Sequence, residues 1–66
     1  MRHFTALKVQ RNFESIDAIE QQIAIFKVAI AGMEPRYWHR KKMLRAHIKR
    51  LRGYVRALNR EIELAS

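Results

Sequence analysis

The chain has no cysteine. That absence excludes disulfides and thiolate metal sites, two of the common ways in which so short a chain gains stability beyond its core. The three histidines, His3, His39 and His47, are too few and too far apart for a structural zinc site, so neither metal nor cofactor is expected. Hydroxyl nucleophiles outside tyrosine are limited to Thr5, Ser15 and Ser66. There is no glycine-rich phosphate loop, and the six acids stand where helix caps and surface pairs want them. Without a triad or a thiol, an enzyme is not expected.

Long apolar runs are also missing. The most apolar window, Ile23–Ala31, is broken by Lys27 and is far short of the roughly twenty residues that span a bilayer. No apolar stretch follows the basic start Met1-Arg2-His3, so no signal peptide is expected, and the reading is of a soluble, cytoplasmic protein. One proline and two glycines leave little punctuation. Two of the three fall in a single place, Gly32-Met33-Glu34-Pro35. Gly32 suits the residue after a helix, where φ > 0 is wanted, and Pro35 suits the first turn of the next helix. Glu34 then serves as an N-terminal cap whose charge favours the helix dipole. A connection this short joins antiparallel helices.

On either side of that break the apolar residues keep helical spacing. Ile16, Ile19, Ile23, Phe26 and Ile30 advance by three and four, the seam of a helix packed on another. After the break, Tyr37, Leu44, Ile48, Leu51, Val55, Leu58, Ile62 and Ala65 keep an almost unbroken heptad, with Lys41 the one polar residue on its line. A seam lysine packs its stem and sends its ammonium to an open edge. Gly53 falls opposite the seam, at a cost of roughly 1 kcal/mol relative to alanine.

The first helix has two candidate starts. Ala6, Val9, Phe13 and Ile16 fit one helical face, which favours a start near Thr5. Ser15, followed by Asp17 and Glu20, also fits a capped N-terminus after an irregular arm formed by residues 1–14. Length matching favours the earlier start. The expected organisation is a single domain over 1–66, with helix one at about 5–31, a turn at 32–34 and helix two at about 35–64.

Charge is the unusual part. Fourteen basic residues against six acids give a net charge of +8. Residues 35–52 hold eight of the fourteen and no acid, so the positive field gathers at the hairpin turn and the first half of helix two. Several like charges stand four apart (Arg36/Arg40, Arg45/Lys49, Arg52/Arg56), an arrangement that repels by a few tenths of a kcal/mol per pair unless something outside the helix offsets it. Phosphates do so, and arginine matches them bidentately. The expected binding set is Arg36, Trp38, Arg40, Lys41, Lys42, Arg45, Lys49 and Arg52. Trp38 and His39 are placed to stack on bases of a single strand. The plainer readings stand beside this. A charge run is often a solvated face, Glu14, Asp17 and Glu20 can pair with part of it, and Tyr37 and Trp38 can simply cap the core.

The fold expected from these patterns is all-α, an antiparallel hairpin of two long helices. Ile25 and Val28 lie off the seam, which points to a second contact and to a homodimer forming a four-helix bundle. In size and plan the chain resembles the small plasmid RNA-binding hairpin dimers typified by Rop. That likeness covers architecture alone, since no residue motif matches and no site is carried across. Two functional classes follow. One is a small regulator that binds nucleic acid, with DNA and RNA not distinguished. The other is an adaptor or inhibitor of the phage or plasmid accessory kind, docking on an acidic surface of a host protein. A membrane-surface role fits less well, because the apolar seam is heptad-regular.

Overall fold

A computed structural model describes the backbone of residues 3–65 and the side chains of residues 6–65. The side chains of His3 and Thr5, and the whole of Ser66, lie outside the described residues. Two helices pack against one another: α1 is His3–Gly32, α2 is Trp38–Ala65, and a single 3-10 turn, Pro35–Tyr37, stands between them. The Cα envelope measures 53 × 14 × 11 Å, a two-helix rod. Helix α1 runs unbroken through Ser15, which is exposed in its interior, so Ser15 caps nothing and residues 3–14 before it are helical and not an irregular arm.

The seam consists of two matched rows. On α1 the buried or half-buried side chains are Val9, Asn12, Ile16, Ile19, Ile23, Phe26 and Ile30, and Met33 just past its end continues the row. On α2 they are Lys41, Leu44, Ile48, Leu51, Val55, Leu58, Ile62 and Ala65. Both rows alternate steps of three and four, the spacing that keeps one stripe of a helix facing a partner along its whole length. Every seam residue expected from Ile16 to Ile30 and from Leu44 to Ile62 stands in these rows. The core is nevertheless thin. Only Ile16, Ile23 and Ile48 fall to between 6% and 8% exposure, and no described side chain is fully buried.

Four local expectations need correcting. Phe13 is exposed, and the seam passes instead through Asn12, whose Nδ2 donates to Glu61 Oε2 at 2.9 Å. Counting back from Ile16 by four and then three reaches positions 12 and 9, which leaves Phe13 round the side of the helix. Gly32 does not adopt a left-handed conformation, since no described residue has positive φ. The chain leaves α1 through a tightened last turn, with Met33 N–H donating to the Ile30 carbonyl at 3.2 Å. Glu34 then takes the extended conformation (φ −65°, ψ 152°) that a residue before proline prefers. Glu34 also makes no side-chain cap; its Oε2 accepts from Arg36 Nε at 2.8 Å instead. Finally, Tyr37 is off the seam. The Tyr37 N–H donates to the Glu34 carbonyl at 3.0 Å in the 3-10 turn, and half-buried Met33 closes that end of the core.

Candidate nucleic-acid interface

Cross-helix register decides which charges meet. The Asn12–Glu61 hydrogen bond and the edge contact of Phe26 on His47 (centroids 5.3 Å apart, planes at 64°) give the same register. Fourteen residues up α1 correspond to fourteen down α2. In this register Lys27 of α1 comes beside the arginine-rich part of α2.

The result is an open groove along one flank of the hairpin. Its larger part has a volume of about 670 Å³ and is lined by Glu20, Ile23, Ala24 and Lys27 from α1 and by Lys49, Arg52, Val55 and Arg56 from α2. It continues toward the turn as a hollow of about 350 Å³ lined by Lys27, Ile30, Arg45, Ile48 and Arg52. The floor is the edge of the isoleucine seam, and the rims are cationic. On α2 the rim cations Arg45, Lys49, Arg52 and Arg56 advance by four, three and four, which is one stripe of a helix. Five cations face one acid, Glu20, across this groove.

Among the described residues none of these five makes an ion pair. The one ion pair there is Arg36–Glu34, with both side chains about two-thirds exposed, a geometry that contributes little to stability. Glu14, expected to neutralise part of the basic stretch, accepts a hydrogen bond from Gln10 Nε2 at 3.4 Å instead. The groove charges are therefore held by the helix backbone and left available to a ligand.

The expected binding set separates into two clusters. Arg45, Lys49 and Arg52 line the groove. Arg36, Trp38 and Arg40 gather at the turn, where the Arg36 Cζ stands 4.8 Å from the Tyr37 ring centroid and the Arg40 Cζ 6.0 Å from it. Trp38 is 65% exposed, with its ring edge-on to His39 at 5.5 Å, so it does not cap the core. A small hollow lined by Gly32, Met33, Glu34, Tyr37 and Arg40 lies under this turn. Lys41 is half-buried on the seam, and Lys42 is exposed between the two clusters.

Two groove cations, Lys27 and Arg56, stand outside the expected binding set, although Arg56 belongs to the like-charge pair Arg52/Arg56. The signal for Lys27 was present: a lysine interrupting the most apolar window of α1, one residue after the seam position Phe26. Arg56 repeats the four-residue step from Arg52. Neither spacing shows by itself that the two residues share a groove, because that depends on the register across the seam. Among the described residues, no three His, Asp or Glu side chains come together as metal ligands, and no helix is long and apolar enough to cross a membrane. No protein-family model matches the chain, and no curated protein or solved structure is significantly similar to it.

Proposed function

We propose that this protein is a small, non-enzymatic, cytoplasmic regulator that binds nucleic acid along the cationic groove. The observation that carries the reading is the set Lys27, Arg45, Lys49, Arg52 and Arg56, five cations on the rims of one groove with no ion pair among the described residues. From Arg45 to Arg56 the α2 rim extends about 17 Å at 1.5 Å per residue. One duplex strand presents a phosphate about every 3.4 Å along its axis, so that length spans about five phosphates. Trp38 and Arg40 at the turn extend the contact, the indole by stacking and the guanidinium by pairing with a phosphate. Pairing of two hairpins into a four-helix bundle belongs to the same proposal, because three buried isoleucines make a thin core for a free-standing chain.

A second reading rests on the groove floor. Phosphates need no apolar floor, whereas an amphipathic acidic helix uses one, laying its apolar stripe on Ile23, Ile30, Ile48 and Val55 and its carboxylates on the rims. An adaptor or inhibitor acting on an acidic host-protein surface, of the phage or plasmid accessory kind, binds in this way.

Fluorescence anisotropy with labelled duplex DNA, duplex RNA and single strands, in rising salt, separates the two. Nucleic-acid binding requires affinity that falls steeply with salt and is lost in the pair Arg45→Ala/Arg52→Ala, while Arg50→Ala, on the other flank of α2, changes little. Absence of binding to every probe at about 50 mM salt, where phosphate contacts are strong, removes this reading and leaves the acidic helix.

A further inference from the structure

The flank of the seam opposite the groove differs in character. On α1 no charged side chain interrupts it between Ser15 and Gly32, where it presents Ala18, Gln22, Ile25 and Ala29. Ile25 is 62% exposed, and Val28 beside it 74%. On α2 the same flank exposes Met43 and Tyr54, both more than half accessible. We propose that a second copy of this chain covers this flank, packed face to face and antiparallel about a two-fold axis at the level of Ile25. The proposal rests on the homodimer reading above and adds to it the face, the orientation and the register.

Area supplies the first argument. A compact monomer of this mass is expected to expose about 4,400 Å². The hairpin exposes 5627 Å². Removing that excess from each of two chains gives an interface of about 2,400 Å², in the range of obligate homodimers.

Charge sets the orientation. Parallel packing would put two turn ends side by side, each carrying Arg36, Arg40, Lys41, Lys42 and Arg45. Antiparallel packing about an axis level with Ile25, eight residues before Met33, holds the turns about 24 Å apart at 1.5 Å per residue, beyond the reach of screened charge at about 8–10 Å. The groove flanks, with five cations each, repel one another and stay outside.

Register is the third argument. In the alignment given by Asn12–Glu61 and Phe26–His47, Ile25 is level with Ile48, and Ile48 lies midway between Met43 and Tyr54. A single axis at that level therefore sets Ile25 against Ile25 of the second copy and Met43 against Tyr54 of the second copy. Arg50 stands at the outer edge of the same flank, where an arginine stem packs and its head stays in water. The small side chains Ala18 and Ala29 let the two α1 helices approach closely. The assembly is a four-helix bundle with its two cationic grooves on opposite outer faces, able to hold two nucleic-acid segments at once.

Because the chain has no cysteine, single cysteines report the face directly. The proposal requires a light-scattering mass of twice 7.9 kDa and efficient oxidative cross-linking of Ile25→Cys. Ala24→Cys, one residue away on the groove flank, should stay uncross-linked. The pair Ile25→Glu/Tyr54→Glu, both at exposed positions, should halve the mass while the far-ultraviolet dichroism stays helical. If that pair unfolds, the cysteine pair decides alone. A monomer mass across micromolar concentrations overturns the homodimer reading and this face with it. A dimer that survives the glutamate pair, or that cross-links through Ala24→Cys and not Ile25→Cys, overturns the face and leaves the homodimer standing.

Discussion

Single residues differ sharply in what they contribute to this hairpin. Ile48, at 6% exposure, sits mid-seam and touches the groove floor. Ile48→Ala is expected to cost about 2–4 kcal/mol through lost burial and the cavity left behind. At about 4–8 °C per kcal/mol for so small a domain, the thermal midpoint should fall by about 8 °C or more. Asn12 is the opposite case, a polar residue on an apolar line. Asn12→Ala removes the bond to Glu61 and should lower stability by about 0.5–1.5 kcal/mol. Asn12→Leu should raise it, by about 1 kcal/mol, because a polar seam residue gives up packing in exchange for a fixed register. Urea midpoints of the two variants should therefore move in opposite directions. Phe13 shows why Asn12 was hard to find. Apolar identity favoured Phe13, whereas the heptad step favoured its neighbour, and in a two-helix rod geometry takes precedence because only the seam stripe has a partner.

At the scale of elements, the two glycines make a matched test. Neither has positive φ, and a Cβ built on either meets nothing within 4 Å. Gly53 lies inside α2, so Gly53→Ala should stabilise by up to about 1 kcal/mol through helix propensity alone. Gly32 is the last residue of α1, and Gly32→Ala should be neutral or slightly stabilising in a thermal melt. A loss of about 1 kcal/mol there would mean that the helix end needs a left-handed glycine. The turn between the helices also explains the misplacement of Tyr37. A 3-10 turn advances three residues per turn, so a heptad extrapolated backwards from Leu44 through Pro35–Tyr37 drifts off its line. Tyr37 and Trp38 consequently face outward with Arg36 and Arg40 rather than closing the core.

For the whole molecule the governing quantity is the distribution of positive charge. If the five groove cations each neutralise one phosphate, the logarithm of affinity should fall against the logarithm of salt with a slope of about −4.5 on duplex DNA and about −3.5 on a single strand. Arg45→Ala/Arg52→Ala should make that slope shallower by about 1.8 on duplex DNA, which salt titrations of the two proteins would read directly. A slope unchanged by the pair would place the phosphate contacts at the turn cluster rather than in the groove.

What the sequence determined alone was local and periodic. Two long helices, an antiparallel connection and the isoleucine and leucine rows follow from repeats of three and four residues, which act within one helix at a time. The concentration of cations in residues 35–52 was equally plain, since charge is additive along a chain. Only the tertiary structure decided which of those cations share a surface. The register across the seam brings Lys27 of one helix beside Arg45 and Arg52 of the other, and the outward rotation of the 3-10 turn separates Trp38 and Arg40 from that groove. Both depend on how one helix slides and turns against another, a relation between residues far apart in the chain that no periodicity within either helix contains.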